Sequence, residues 1–217
     1  MNFIFINYLI LNIIFFLFFN KFSKKINIYD FPNHRKLHKD KVSLAGGIFV
    51  FISIYFYLFY LAIFDPSYSK KIFFLTTQHF TFFLISFFFF IIGLFDDKNN
   101  LSANKKISIF LILILFAVSI DTELQVQILY FSFFEKNILL ENFKLIFTIF
   151  SIFIFINALN MYDGSNCQLG NYVLFFILYL SFKSQSSFIL SFVIPIVFFI
   201  YLNMRNLTFM GNSGTYF

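Results

Sequence analysis

Apolar stretches alternate with short polar loops along the whole chain. The stretches run Met1–Asn20, Val42–Phe64, Ile72–Phe95, Ile107–Ile120, Leu145–Tyr162, Gly164–Phe182 and Ser184–Met204. A membrane-spanning helix needs about 17–25 residues, and six of these seven stretches meet that length. The fourth has 14 residues. It can lengthen through Ser102–Asn104 at one end and to Leu124 at the other, with Asp121 and Glu123 at the membrane interface. Pro195 predicts a kink in the seventh stretch, because it removes a backbone donor from the helix. No separate soluble domain and no repeat of about 20–50 residues interrupts the pattern. The pattern predicts an all-α, polytopic transmembrane helical bundle of about seven spans, in a single membrane domain over residues 1–217.

The loops orient the bundle. The first stretch has no basic start, and its positive charges follow the apolar run, unlike a cleaved leader. That order predicts an N-terminus outside. Alternation then puts residues 21–43, 96–106, 163–168 and 203–217 on one side, and 65–71, 121–144 and 183–187 on the other. The first set holds 11 of the 16 basic residues and the second holds 5. The excess of positive charge marks the first set as cytoplasmic.

Composition agrees with a lipid solvent. The 217 residues are 60% hydrophobic and 12% charged, against about 25% charged in soluble domains. The 42 Phe residues accompany abundant Ile, Asn and Lys and an absence of Trp. AT-rich codons produce that set, and Phe is then simply the apolar residue available for lipid-facing positions. The net charge of +6 sits in loops between apolar segments, which reads as orientation signal and phosphate attraction rather than nucleic-acid binding. The single Cys167 excludes an internal disulfide and any multi-cysteine metal site.

Candidate chemistry lies in the cytoplasmic loops. Asp96 and Asp97 end the third stretch in GLFDDKNNLSANKK. Two adjacent carboxylates at a helix C-terminus repel each other and oppose the dipole, whereas a divalent cation takes such oxygens readily. A solvated helix end beside Lys98, Lys105 and Lys106 is the plainer alternative. In NALNMYDGSNCQLG, Asn157, Asn160 and Asp163 recur every third residue and fan over about 120° of one helix face. Polar groups at that depth face a bundle or a wet cavity, and Gly164 permits a turn or a close approach. Packing asparagines followed by an Asp-Gly turn would read the same way. The loop DFPNHRKLHKDKVSLAGG sets basic residues beside the membrane before Gly46 and Gly47. It suits a lipid phosphate, or simply an orientation signal followed by a packing pair of glycines. His79 lies in mid-helix and carries no role. MGNSG, near the end, brings Gly211, Ser213 and backbone N–H groups toward an anion, or is a loop entering a further helix.

Taken in order, RKLH with GG (Arg35–His38, Gly46, Gly47), GLFDD (Gly93–Asp97), NALNMYDG (Asn157–Gly164) and FMGNSG (Phe209–Gly214) resemble the polyprenyl-phosphate N-acetylhexosamine-1-phosphate transferases. The resemblance implies transfer of a sugar phosphate from a UDP-N-acetylhexosamine to polyprenyl (undecaprenyl) phosphate with release of UMP. It implies cell-envelope polysaccharide or peptidoglycan precursor synthesis, at a bacterial inner membrane with a cytoplasmic active site. Mg²⁺, or Mn²⁺ in its place, is the implied cofactor. By the same carry-over Asp96, Asp97 and Asp163 are catalytic, and Asp96, Asp97 and Asn212 hold the metal. Arg35, Lys36, His38, Asn157, Asn160, Gly211 and Ser213 bind substrate. The implied partners are the two substrates and membrane lipid, with room for a homodimer.

The chain departs from the family pattern at three places. Asn166 and Cys167 fill the last two positions of a motif that usually reads DGxDG. Asn212 stands where the family has a magnesium-binding Asp, and Ser43 where it has Pro. The family also continues into further helices where this chain reaches only the start of an eighth, at Gly214, so the membrane domain is expected to be incomplete at its C-terminus. Two other classes fit less of the sequence. An inactive homologue serving as a lipid-binding or assembly partner would explain Asn212 and Asn166. A small transporter would place its charges in mid-membrane, whereas here they gather at helix ends.

Overall fold

The computed structural model describes residues 2–32, 39–64, 77–131, 133 and 136–217. The chain is mainly helical. Its helices are α1 (Asn2–Leu17), α2 (Phe19–Ile26), α3 (Gly46–Phe64), α4 (Thr77–Asn99), α5 (Ala103–Ile120), α6 (Lys144–Tyr162), α7 (Gln168–Ser184), α8 (Ser187–Ser191), α9 (Val193–Met204) and α10 (Gly211–Tyr216). Among the described residues, α3, α5, α6 with its preceding turn, and α8–α9 taken together are long and apolar enough to cross a membrane. The bent pair α1–α2 makes a fifth if counted as one span.

Two small ribbons qualify the all-α expectation. Strands β1 (Tyr29–Asp30) and β2 (Val42–Ser43) pair antiparallel across the first polar loop. Strands β3 (Ile128–Phe131) and β4 (Lys136–Leu139) form an antiparallel hairpin between α5 and α6. Loops between spans carry backbone groups that need partners, and a short ribbon supplies them.

Other differences have local causes. The first stretch is not one helix. Helix α1 ends at Leu17 and the chain turns by 63° into α2. There Phe19 is buried while Lys21, Lys24 and Lys25 are exposed. A run with three lysines cannot continue along the bilayer normal, so it turns and lies on the core with its apolar side. The short fourth stretch does lengthen at its start: α5 begins at Ala103 and reaches 18 residues. The third continues through both aspartates, since α4 ends only at Asn99. The seventh breaks at Phe192, between α8 and α9. Pro195 explains the position, because it lacks the N–H that would bond to the Ser191 carbonyl.

Among the described residues, two larger apolar clusters and two smaller ones make up the core. One of the larger two joins Phe49, Val50 and Leu58 of α3 to Phe19, Leu169, Phe199 and Met210. The other joins Phe89 of α4, Phe110 and Ile114 of α5, Ile149 and Ile156 of α6, and Tyr216 of α10. The short helix α10 thus packs between α3, α4 and α6.

Candidate functional site

The site forms where α4 ends. Asn100 adopts a left-handed conformation (φ 50°) and its N–H bonds to the Asp96 carbonyl at 2.8 Å. The chain reverses there and enters α5 after Ser102. The reversal brings Lys106 of the first turns of α5 back onto Asp96, with Nζ 2.5 Å from Oδ2. The Asp96 carboxylate is 1% exposed. It also accepts the Leu101 N–H at 2.9 Å and the Tyr216 hydroxyl at 3.0 Å. Its side-chain partners thus include Lys106, one of the three lysines that the sequence sets beside this helix end, and a tyrosine from α10.

Asp97 faces the other way, onto the start of α10. Its Oδ1 accepts the Asn212 N–H at 2.8 Å and its Oδ2 accepts the Ser213 N–H at 3.0 Å. The backbone donors expected for an anion are therefore turned to an aspartate of the protein itself. Ser213 is buried.

Glycines allow this close assembly. A Cβ on Gly47 would collide with the backbone of Gly214, and one on Gly93 with the backbone of Asn212 and Ser213. The Gly46 and Gly47 N–H groups bond to the Phe209 and Met210 carbonyls at 3.2 and 2.9 Å. The glycine pair of the first motif thus packs directly on the last motif. Ser43, in the family's proline position, accepts the Phe209 N–H and the Thr208 hydroxyl at its carbonyl, at 2.8 and 2.9 Å. Arg35, Lys36 and His38, read as lipid-phosphate ligands, lie outside the described residues.

The end of α6 completes the site. Asn160 accepts the Thr215 hydroxyl of α10 at 3.1 Å. Asn157 instead donates to the Phe153 carbonyl of its own helix at 2.8 Å. Asp163 caps α6 and its carboxylate accepts no hydrogen bond among the described residues. A Cβ on Gly164 would meet only the Met161 carbonyl, at an ordinary 3.7 Å. Beyond Gly164, Asn166 bonds to the Asn206 side chain. The Cys167 N–H donates to Asn203 Oδ1 at 2.5 Å, and Asn203 Nδ2 donates to the Thr208 carbonyl at 2.7 Å. Buried Asn203 thereby ties the loop after Asp163 to the segment entering α10. Lys106, Thr215, Tyr216 and Asn203 were not among the residues chosen from sequence. Only Lys106, in SANKK at the start of α5, carried a signal.

The electrostatics separate the three aspartates. Asp97 and Asp163 both lie beyond the apolar stretches of their helices. Burial raises the Asp97 carboxyl to about 6, with the neighbouring Asp96 adding to the rise and the two N–H bonds opposing it. Burial raises Asp163 to about 7, and the charge of Asp97 raises it further. The two carboxylates are therefore near enough to repel, and Asp163 has no cationic partner among the described residues. Asp96, by contrast, is met by Lys106. No three His, Cys, Asp or Glu side chains form a ready ligand cluster among the described residues. The residues nevertheless suit a divalent cation, because two half-buried carboxylates without a cationic partner among the described residues, and the nearby Asn212 amide, are hard oxygen donors.

The comparisons point the same way. The sequence model of glycosyl transferase family 4 matches residues 79–217. Curated relatives include the undecaprenyl-phosphate alpha-N-acetylglucosaminyl 1-phosphate transferase of Yersinia pestis, 29% identical over 212 residues, which cover 90% of this chain and 53% of that protein. The enzyme of the same name from Salmonella typhi is 28% identical over 208 residues, covering 90% and 53%. That from Escherichia coli K12 is 29% identical over 161 residues, covering 71% and 39%. The chain spans about half or less of the length of these relatives.

Proposed function

Because this chain belongs to glycosyl transferase family 4, we propose that it is the catalytic part of a membrane transferase that moves N-acetylhexosamine 1-phosphate from a UDP-sugar to a polyprenyl phosphate. The observation that carries the reading is the meeting of Asp96, Asp97 and Asn160 on α10, with Asp163 close by. Parts of all four motifs that resemble the family converge there, the first through Gly46 and Gly47 alone among its described residues.

The proposed topology has seven spans, an N-terminus outside and the site at the cytoplasmic face, within one membrane domain. The helix lengths support it in part, since α5 runs away from the Asp96 turn and α6 returns to Asp163. These two aspartates therefore share one end of the bundle.

In the reaction, a non-bridging oxygen of the lipid phosphate attacks the β-phosphorus of the UDP-sugar. A new P–O bond forms as the bond from that phosphorus to the bridging oxygen breaks, and UMP leaves with the electron pair. The attacking phosphate, with a second pKa of about 6, is already largely dianionic at neutral pH and needs no strong base. The chain's task is positioning and charge neutralisation. Asp97, Asp163 and Asn212 would hold the divalent cation, Mg²⁺ or Mn²⁺; Asp96, which the family resemblance implies as a ligand, is here engaged by Lys106 and Tyr216, and Asp163 takes its place in this reading. When bound, the cation neutralises phosphate charge as a Lewis acid. Asp96 fixes Lys106 and Tyr216 beside Asp97, within the metal's surroundings. Asn157 and Asn160 line the α6 side, Gly211 and Ser213 shape the α10 side, and Arg35, Lys36 and His38 draw the lipid phosphate to the membrane surface.

The test is UMP release by a full-length protein containing these residues, supplied with polyprenyl phosphate, a UDP-N-acetylhexosamine and Mg²⁺. Asp97→Asn and Asp163→Asn are expected to lower turnover by about 10²–10³-fold, the loss typical of a removed preorganised contact. Near-normal turnover of both correctly inserted variants would sink the assignment.

A further inference from the structure

The β3–β4 hairpin lies at the end of the bundle away from the aspartates. From the Asp96 turn, α5 runs 18 residues, about 27 Å at 1.5 Å per residue, before the chain enters the hairpin. Helix α6 then returns to Asp163. Both helices are long and apolar enough to cross a membrane, so the hairpin sits where that crossing ends.

Its side chains are unusual for a hairpin in water. The register pairs Ile128 with Leu139, Leu129 with Ile138, Tyr130 with Asn137 and Phe131 with Lys136. Paired residues share a face, so Ile128, Tyr130 and Leu139 line one face and Leu129, Phe131 and Ile138 the other. Both faces are apolar, and none of these six residues is buried. Tyr130 is 71% exposed, Leu139 64%, and Phe143 just beyond the hairpin 71%. A two-stranded hairpin is marginal in water even with one apolar face covered. Yet the hairpin cannot sink into hydrocarbon, because each outer edge carries backbone groups that no strand pairs.

We propose that the hairpin lies in the acyl–headgroup boundary of the leaflet opposite the site and anchors α5 and α6 at a fixed depth. At that boundary the apolar faces meet acyl chains while the strand edges keep headgroup and water partners. Tyr130 sits where interfacial aromatics accumulate. Lys136 and Lys144 flank the apolar residues and suit anionic headgroups. The adjoining helix ends also carry exposed apolar residues, Phe116 and Ile120 of α5 and Ile146 and Phe147 of α6.

The absence of Trp from the chain makes the test direct. Tyr130→Trp and Ile138→Trp report one face each, and Ile112→Trp, at an exposed mid-helix position of α5, calibrates depth. The three single-Trp chains are placed in vesicles of phosphatidylcholine and phosphatidylglycerol. Both hairpin reporters are expected to emit to the blue of tryptophan in buffer. Lipids brominated near the carboxyl end of the acyl chain should quench them more than lipids brominated near the methyl end, with the opposite order at Ile112→Trp. Emission and iodide quenching like those of free tryptophan at both hairpin positions would overturn the proposal in favour of a water-exposed hairpin. Blue emission that no brominated lipid quenches would overturn it in favour of a protein cover, such as a second copy of the chain.

Discussion

A methyl group placed on Gly211 would stand 2.8 Å from Oδ2 of Asp97. Gly211 also has a φ of +72°, in the left-handed region that disfavours any side chain. The last motif therefore needs glycine at its first position for two reasons, and both follow from the way Asp97 caps α10.

Gly211→Ala should accordingly destabilise the protein. The left-handed conformation alone costs about 1–2 kcal/mol for a residue with Cβ, and the clash with Asp97 adds to it. Thermal unfolding in detergent should show a lower midpoint than the parent. Gly164→Ala is the matched comparison, since its Cβ would make only an ordinary contact with the Met161 carbonyl at 3.7 Å, and it should unfold close to the parent. Equal midpoints for the two variants would mean that α10 does not sit against Asp97.

The raised carboxyls of Asp97, about 6, and Asp163, about 7, set a pH dependence. Each folded-state value lies above the unfolded one, near 4, so the folded form binds protons more tightly. The corresponding stability is fully present below about pH 4 and is lost as pH rises through 6 and 7. Without divalent cations, the unfolding midpoint should fall between pH 5 and 8 as measured in chelator. Asp163→Asn should flatten that slope. Added Mg²⁺ should restore stability mainly at the alkaline end, because a ligand of the folded state alone stabilises it. A midpoint that rises with pH in chelator would contradict the desolvated placement of these groups without a cationic partner.

The alternation of apolar and polar segments made the helices legible, because lipid demands long uncharged runs whatever the tertiary packing. The lengthening of the fourth stretch and the break near Pro195 were legible for the same local reasons. The turn into α2 was not, since Phe19 and Phe22 extend the apolar run while the lysines between and after them face out. The hairpin was equally hidden: YFSFFEKNILL has no Gly or Pro turn signal. At the site, the sequence pointed to Asp96, Asp97, Asp163 and Asn160 through residue type and spacing. It could not show that Asp96 pairs with Lys106 or that Asp97 caps α10, because those partners depend on how three helices pack. The Gly46–Gly47 pair packs on the last motif, which was the plainer of its two readings, and the last motif, read in its plainer sense as a loop entering a further helix, forms the short helix α10.

Cys167 reports on sidedness. Its thiol is half-buried and burial raises its pKa, so labelling is best run at mildly alkaline pH. A membrane-impermeant maleimide should label Cys167 in inverted vesicles and not in intact cells if the site faces the cytoplasm as proposed. Labelling in intact cells instead would move the Asp163 loop outside and reverse the proposed topology.

Asn212 offers the sharpest test of the cation reading. Its backbone N–H is held by Asp97 and its carbonyl accepts the Thr215 hydroxyl at 3.3 Å, so the position is fixed by main-chain contacts that a carboxylate would keep. The side chain itself is half-buried and makes no hydrogen bond among the described residues. Asn212→Asp would add a third carboxylate beside Asp97 and Asp163. In chelator the added charge should lower the unfolding midpoint, since it joins two groups that already repel. With Mg²⁺ present the order should invert, because a further hard anionic oxygen strengthens a divalent site. Mg²⁺ titrations followed by unfolding midpoint should therefore give a tighter apparent Kd for Asn212→Asp than for the parent. Mn²⁺, followed by its paramagnetic relaxation of water, should show the same order. If the substitution lowers the midpoint in chelator yet leaves both affinities unchanged, position 212 feels the aspartates but lies outside the cation's shell, and Asn212 is then no metal ligand. If neither quantity moves, its side chain points away from Asp97 and Asp163 altogether.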